Sequence, residues 1–323
     1  MRTKQPPHDK TMPVKIRSWV VPRFLAAVFL VVGFVGAPLN AQVGSSAKPK
    51  RVGLIVTDKD GTLVSDLKKE ELSVSVNGTS YPVFQLSKNT LPSVVVLSLD
   101  NSGSLRQHLK VLVDGAMEIA GSNDRKNLFL LMRFVGRDNV QITDRFSSDP
   151  AFLESKRNMF FIEGGQTAVI DAVHKAVQIV SGQNNLNQEY RKAVVVISDG
   201  EDRDSKTSIK ELQELIGKEN VQVYFVGLTE LLSEESGFIG KSPVKKAKEF
   251  IEMVASESGG AAIFPKEKDI LKAASSIRAM MNDQYILTLE TTDQLPVGSR
   301  VQIDFAPNSK RKNVGLRYRP LIN

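Results

Sequence analysis

Five oxygen-bearing side chains lie directly after predicted strands, where they could bind a divalent metal ion. The five residues are Asp100, Ser102, Ser104, Thr167 and Asp199. The first three stand at alternate positions behind an apolar run, a spacing that suits a loop wrapped around an ion, and Gly103 permits the turn. Thr167 follows a Gly-Gly pair and Asp199 follows a second apolar run, so the five side chains would reach the site from three loops.

Hydroxyl and carboxylate oxygens, without histidine or cysteine, are the ligands of a hard cation. Mg²⁺ and Mn²⁺ accept about six oxygen ligands, and proteins often leave some of these positions to water or to a partner. The chain has no cysteine, which excludes disulfides, thiolate zinc sites and cysteine nucleophiles. Its three histidines are His8, His108 and His174, and Ser102 does not stand in a Gly-x-Ser-x-Gly elbow, so a hydrolase triad lacks support.

The segments around the candidate ligands alternate between apolar strands and amphipathic helices from Pro92 onward. Residues 94–99 and 193–198 are apolar runs of the kind buried on both faces of a parallel sheet. The pattern predicts an α/β fold with a doubly wound, mostly parallel sheet and helices on both faces, in which ligands bind at the carboxyl ends of the strands. The predicted strands are 94–99, 128–134, 140–142, 193–198, 221–227 and 261–264, and the predicted helices are 105–120, 168–180, 209–217, 245–256 and 269–281.

Both flanks of this region have strand character. Residues 51–86 and 285–320 contain alternating or β-branched segments separated by turn signals such as Asn-Gly. We expect the C-terminal strands to form a hairpin that packs against the N-terminal ones, so that a small β module is built from both flanks. The predicted organisation is a signal peptide at 1–41, a linker at 42–50, an N-terminal β module at 51–90, the metal-site domain at 91–282 and a C-terminal β-hairpin at 283–323.

The first 41 residues are typical of a signal peptide. A basic region ends at Arg23, an apolar run follows over 24–37, and a Leu-Asn-Ala sequence ending at Ala41 offers a cleavage site. The run is too short for a helix that spans a membrane, which needs about 20 residues. We therefore expect export to the periplasm or beyond, without stable membrane insertion. An uncleaved N-terminal anchor is the alternative.

The basic character of the chain lies mostly in this leader. The formal net charge is +7, but residues after 41 hold 37 basic and 35 acidic side chains. Nucleic-acid binding is therefore not predicted. A basic cluster near the C-terminus, Lys310 to Lys312 with Arg317 and Arg319, is interpreted as a solvated strand edge rather than a binding patch.

Taken together, the motifs resemble the metal-ion-dependent adhesion site of von Willebrand factor type A (vWA) domains. The resemblance rests on Asp-x-Ser-x-Ser after a buried strand, Gly-Gly-x-Thr further on and an apolar strand ending in Ser-Asp-Gly, and it covers residues 91–282. The flanks are similar to a bacterial VWFA-related group of exported proteins. The resemblance implies that Ser102 and Ser104 coordinate Mg²⁺ or Mn²⁺ directly, with Thr167 joining them when ligand is bound. Asp100 and Asp199 would act mainly through water.

The same resemblance implies a binding protein rather than an enzyme. An Asp or Glu side chain of a partner protein would complete the coordination sphere. Taken singly, each of the five residues could instead cap a helix or form a turn, since Asp, Ser and Thr favour both positions. A structural subunit with a vestigial metal site is therefore a further alternative.

An enzymatic alternative comes from the first predicted strand. Residues 52–64 end in Asp-Lys-Asp-Gly-Thr-Leu-Val, which resembles the nucleophile motif of Mg²⁺-dependent phosphatases of the haloacid-dehalogenase type. Asp58 would attack the phosphoryl group and Asp60 would serve as acid and base. Against this, the segment after Asp60 has a strand-turn-strand pattern where that family needs a helix or a cap, and Asp-x-Asp-Gly is also an ordinary hairpin turn.

Overall fold

The computed structural model describes residues 50–121, 126–161, 164–184, 186–232, 242–290 and 295–322, which belong to one compact unit. The predicted signal peptide, and the predicted linker except for Lys50, lie outside these residues. Lys50 is already the first residue of a strand. In this part of the chain no helix is long and apolar enough to cross a membrane.

Strands and α-helices alternate in the middle of the chain, whereas the two flanks are built from strands. The described strands are β1 (Lys50–Asp58), β2 (Leu72–Val76), β3 (Thr79–Tyr81), β4 (Val83–Lys88), β5 (Ser93–Asp100), β6 (Leu128–Phe134), β7 (Val140–Ile142), β8 (Arg191–Ser198), β9 (Val221–Gly227), β10 (Ala262–Ile263), β11 (Tyr285–Leu289), β12 (Val301–Phe305) and β13 (Val314–Tyr318). The described α-helices are α1 (Leu109–Gly121), α2 (Pro150–Ser155), α3 (Val169–Ser181), α4 (Ile209–Lys218), α5 (Pro243–Ser258) and α6 (Ile270–Asn282).

A six-stranded sheet in the order β10-β9-β8-β5-β6-β7 forms the centre of the fold. All its neighbouring strands are parallel except β7, which pairs antiparallel with β6 at the edge. Every residue of β5 is buried, as expected for a strand covered on both faces. The strand order reverses beside β5, because β6 lies on one side of it and β8 on the other. The carboxyl ends of β5 and β8 therefore meet where such sheets bind ligands.

Helices cover both faces of this sheet, so that a hydrophobic core lies on each face. Alternate residues of each strand point into one core or the other. On one face Val95 and Leu97 of β5 pack in a cluster with α1 and α6. On the other face Val94 and Val96 pack in a cluster with α3, α4 and α5. This alternation follows from the two-residue period of a strand. The prediction of a doubly wound, mostly parallel sheet is confirmed.

Local sequence accounts for the ends of the helices beside the sheet. The hydroxyl of Ser208 accepts a hydrogen bond from the amide of Glu211, whose carboxylate accepts one from the amide of Ser208, so a capping box starts α4. Helix α5 begins at Pro243 and ends before Gly259, whose φ of 74° is accessible mainly to glycine.

The two flanks build the antiparallel β module together. One sheet has the order β13-β1-β11-β4, the other the order β12-β2-β3, and an apolar cluster that includes Leu54, Val74, Leu287 and Ile303 lies between them. The predicted C-terminal hairpin is wrong, because β11 and β13 pair with opposite edges of β1 and β12 pairs with β2. Each C-terminal strand buries its apolar face by joining an N-terminal strand rather than its neighbour in sequence.

Two arginines of the C-terminal basic cluster hold structural positions. Arg311 forms ion pairs with Glu71 (Nε–Oε1 2.8 Å) and Asp66 (Nη1–Oδ1 2.9 Å), and its guanidinium lowers the pKa of both carboxyls. Arg319 donates to main-chain carbonyls at the end of α4, including Gly217 O at 2.7 Å. A cation at a helix C-terminus is favourable because the last carbonyls carry partial negative charge. For these two residues the interpretation as a solvated strand edge is wrong.

Candidate metal centre

Asp100 is the last residue of β5 and is completely buried at the carboxyl edge of the central sheet. Its Oδ1 accepts a hydrogen bond from the amide of Ser102 at 2.9 Å. Its Oδ2 accepts one from the hydroxyl of Ser198, the last residue of β8, at 2.7 Å. The carboxylate therefore fixes the loop that follows its own strand and ties that loop to the neighbouring strand.

A chain of hydrogen bonds continues from this loop to Asp199. The hydroxyls of Ser102 and Ser104 lie 3.1 Å apart, and Ser104 donates to Asp199 Oδ2 at 2.8 Å. Asp199 Oδ1 accepts from the amide of Glu201 at 3.0 Å. Four of the five predicted site residues are thus brought together, with two buried carboxylates separated by two hydroxyls.

The two carboxyl groups share an environment that opposes negative charge. Burial, together with the nearby charge of Asp199, raises the pKa of Asp100 to about 7, against hydrogen bonds from Ser102 and Ser198 that lower it. Burial also raises the pKa of Asp199. Desolvation disfavours the charged form of an acid, and a second carboxyl nearby adds repulsion. A cation beside the pair would offset both effects.

The loop that carries Thr167 lies against the other two. A Cβ placed on Gly103 would be 4.0 Å from Gly164 Cα, so the backbone of the loop after β5 lies close to the backbone of the loop that carries Thr167. The carbonyl of Thr167 accepts hydrogen bonds from the amides of Arg203 and Asp204, at 2.9 and 3.1 Å, in the loop that follows Asp199.

The side chain of Thr167 stands apart from the hydrogen-bonded chain. The residue is buried, with 3% of its surface exposed. Among the described residues its hydroxyl makes no hydrogen bond to any of the other four predicted ligands. The structure therefore places the loop of Thr167 beside the site without joining its hydroxyl to the four.

Two glycines of these loops fit tightly against neighbouring side chains. Gly165 has a φ of 121°, and a Cβ there would lie 2.9 Å from a methyl carbon of Val135. Gly200 has a φ of 79°, and a Cβ there would lie 2.7 Å from Ile251 Cδ1. At both positions the backbone φ is positive and there is no space for a Cβ atom. The glycines of the Gly-Gly-x-Thr and Ser-Asp-Gly motifs are therefore required for steric reasons.

Several residues near the site were not predicted. Ser198 was read as part of an apolar strand, yet its hydroxyl holds Asp100. Asn101 donates to the carbonyl of Phe161 at 2.7 Å, and the ring of Phe161 is 45% exposed. Arg106 is exposed on the 3-10 helix Gly103–His108, and no ion pair joins it to a described residue. The ordinary residue types involved give no signal of these contacts in the sequence.

The donor set fits a hard cation. Carboxylate and hydroxyl oxygens converge without nitrogen or sulfur ligands, which suits Mg²⁺ or Mn²⁺. Within the described ranges no three His, Cys, Asp or Glu residues cluster as a metal site. A site made of two carboxylates and several hydroxyls would not form such a cluster, so hydroxyl ligands are essential to the fit.

The alternative nucleophile Asp58 lies elsewhere, in a turn of the β module. Its Oδ1 accepts hydrogen bonds from the amides of Asp60 and Thr62, at 2.9 and 2.8 Å. Strand β1, which it ends, pairs antiparallel with both neighbours, whereas a phosphatase of the proposed type needs its nucleophile after a strand of a parallel α/β sheet. The geometry accounts for Asp58 as a turn residue and gives the phosphatase alternative no support.

A protein-family model matches part of the chain. Residues 95–201 match the model of the von Willebrand factor type A domain. The matched residues run from β5 to the loop after β8 and include the Asp100 loop, in agreement with the resemblance that the sequence motifs carry. Domains of this family generally serve in protein interaction rather than catalysis. No match is found among curated proteins.

Three solved structures resemble this chain at low sequence identity. An aerotolerance-related membrane protein from Bacteroides fragilis has 18% identity over 59% of this chain and 98% of its own, with a TM-score of 0.44. BatB from Bacteroides thetaiotaomicron has 18% identity over 58% of this chain and 98% of its own, with a TM-score of 0.42. A manganese-loaded TRAP protein from Plasmodium vivax has 11% identity over 72% of this chain and 96% of its own, with a TM-score of 0.41.

Proposed function

We propose that this chain is an exported, non-enzymatic binding protein that uses a divalent cation in its vWA domain to bind an acidic side chain of a partner protein. The observation that supports this most strongly is the pair of buried carboxyls, Asp100 and Asp199, joined through Ser102 and Ser104. Buried charges of one sign are costly unless a counter-charge is present. A cation beside the two serine hydroxyls would supply it.

Each of the five residues has a distinct task in this proposal. The hydroxyls of Ser102, Ser104 and Thr167 would hold Mg²⁺ or Mn²⁺, and Asp100 and Asp199 would balance its charge, mainly through water. Asp100 also orients the first loop through the amide of Ser102, and Asp199 orients the hydroxyl of Ser104. These hydrogen bonds preorganise the hydroxyls before a cation binds.

The partner is expected to offer an Asp or Glu carboxylate. When bound, the cation would be held by few charged ligands and would therefore attract a carboxylate from outside. The guanidinium of Arg106, which no ion pair joins to a described residue, lies near Gly164 in the loop that carries Thr167, and it would add positive potential that steers an acidic partner. Nothing in the site favours nucleic acid.

The proposal that the protein is exported depends on the predicted signal peptide. The basic and apolar segments of residues 1–41 support a signal peptide, and with it a periplasmic or extracellular location. An N-terminal anchor that stays attached would place the same domain on the outer face of the inner membrane, with the same site exposed.

A metal titration followed by partner capture tests the proposal. Mn²⁺ is titrated calorimetrically into the chain and into Ser104→Ala, with Ser155→Ala as the matched control, because Ser155 is also an exposed serine with a local hydrogen bond. We expect Mn²⁺ affinity to fall at least about tenfold in Ser104→Ala alone. Capture of a partner from envelope extract should then require Mn²⁺ or Mg²⁺ and should be lost with chelator and in Ser104→Ala. Equal Mn²⁺ binding by all three proteins, or no binding, would refute the proposal and favour a vestigial site.

A further inference from the structure

A second groove lies between the β module and the vWA domain and shares no residue with the metal centre. It has a volume of about 760 Å³ and is bounded by β13, by β10 and by α5. Both strands are at the edges of their sheets: β13 ends the four-stranded sheet and β10 ends the six-stranded one. The groove thus has a sheet edge on each of two walls and a helix as its third wall.

The β13 strand turns some of its backbone groups away from β1, and the same residues line the groove. Leu316 lies opposite Val56 of β1, but Val56 O accepts from the amide of Val64 on the other side of β1. In an antiparallel pair, residues bond across the pair only at alternate positions. The backbone N–H and C=O of Leu316, and by the same alternation of Tyr318, therefore point away from β1. Just beyond them the edge is covered, because the amide of Val301 donates to Pro320 O at 2.8 Å.

Strand β10 likewise directs some of its backbone groups away from the strand it pairs with. The amide of Phe225 in β9 donates to Ala261 O at 2.9 Å, so Ala261 faces β9. The next residue, Ala262, directs its backbone groups away from β9 and lines the groove. Proteins usually protect such edges with a covering segment, because unpaired strand edges bind other strands. Here two edges face one groove.

Charges of both signs line the groove without pairing. Glu252 stands on α5, and Arg300 and Arg317 stand on the side of the β module. All three are exposed, and none forms an ion pair with a residue that the structure describes. The groove therefore has an acidic wall and a basic wall that do not neutralise each other.

We propose that this groove binds an extended peptide segment of a partner protein by strand addition to β13. The peptide's backbone would pair with Leu316 and Tyr318, a basic side chain would face Glu252, and an acidic one would face Arg300 and Arg317. Strand addition combines main-chain hydrogen bonds for affinity with side-chain contacts for specificity.

Synthetic peptides test this proposal directly. The probe is a heptapeptide of valine and threonine with one lysine and one glutamate, blocked at both ends, and its control is the same peptide with alternate amides N-methylated. Binding is measured by fluorescence anisotropy, and amide hydrogen exchange is measured at Leu316 and Tyr318. We expect the first peptide to bind and to slow exchange at both amides, and the methylated one to bind at least tenfold more weakly. Chelator should change neither result, so that failure here is separate from failure of the metal site.

Charge variants identify the groove as the place of binding. Arg317→Glu and Glu252→Arg should each weaken the probe about two- to fivefold, the range expected for an exposed ion pair. Lys312→Glu is the matched control, because Lys312 is an exposed basic residue near β13 that does not line the groove, and its affinity should be unchanged. Equal binding of the methylated peptide, unchanged exchange at both amides, or an equal effect of Lys312→Glu would overturn the proposal.

Discussion

Changing Asp100 to asparagine would remove a buried charge while keeping the shape of the side chain. In the native chain Oδ1 accepts from the amide of Ser102 and Oδ2 accepts from the hydroxyl of Ser198. The asparagine oxygen can keep the first bond, and its amide can donate to the oxygen of Ser198. The substitution therefore acts mainly on the electrostatics of the metal centre.

The size of the effect follows from the pKa of Asp100. It is about 7 in the metal-free fold, against 3.8 for an ordinary aspartate. Each pH unit corresponds to about 1.36 kcal/mol, so holding Asp100 ionised well above pH 7 costs on the order of 4 kcal/mol. Because the folded pKa is the higher one, the metal-free fold loses stability as the pH rises from about 4 to about 7 and then levels off.

The assay is thermal unfolding of the native chain, of Asp100→Asn and of Asp60→Asn, in chelator and in Mn²⁺, from pH 5 to pH 8. Asp60→Asn is the control, because Asp60 is an exposed aspartate in a turn. In chelator at pH 8, Asp100→Asn should unfold on the order of 10 °C above the native chain. In Mn²⁺ the native chain should gain about 2.7 kcal/mol at a hundredfold excess over Kd, and the variant should gain little.

Two results would refute this reasoning. One is a native chain whose metal-free stability is independent of pH between 5 and 8. The other is an Asp100→Asn variant that unfolds in chelator at or below the temperature of the native chain while responding to Mn²⁺ as the native chain does.

Three further predictions concern the surroundings of the site. Arg106→Glu should weaken binding of the acidic partner about two- to fivefold and leave Mn²⁺ affinity nearly unchanged; an unchanged partner affinity in a binding assay would exclude Arg106 from recognition. Gly200→Ala should lower the free energy of unfolding by about 1–3 kcal/mol more than Gly61→Ala, because both glycines have φ near 80° but only Gly200 would bring a Cβ within 2.7 Å of Ile251; equal urea midpoints would contradict the steric role. Hydrolysis of p-nitrophenyl phosphate should be absent, and turnover that is lost in Asp58→Asn would reinstate the phosphatase alternative.

The central sheet could be predicted from the sequence because its strands carry a strong signal. The apolar runs ending at Leu99 and Ser198 are buried on both faces, and each leads into a loop at the carboxyl edge. The hydrogen bonds among Ser102, Ser104 and Asp199 follow from that placement.

Other features depend on tertiary contacts that the sequence does not display. Strand β4 follows β3 after a single residue, yet β3 belongs to the three-stranded sheet and β4 pairs with β11 in the four-stranded sheet. This pairing depends on how the two sheets of the β module pack together. Helix α2 has only six residues and was not predicted, although Asp149 caps it and Pro150 starts it. The bond from Ser198 to Asp100 joins residues 98 positions apart, and a serine at the end of an apolar strand carries no sign of it.

The measurement that tests the central claim most directly is anomalous X-ray scattering from crystals grown with Mn²⁺. The account predicts one manganese peak at the carboxyl ends of β5 and β8, bonded to the hydroxyl oxygens of Ser102 and Ser104, and its loss in crystals of Ser104→Ala. A peak elsewhere, or no peak beside these serines at saturating Mn²⁺, would contradict it.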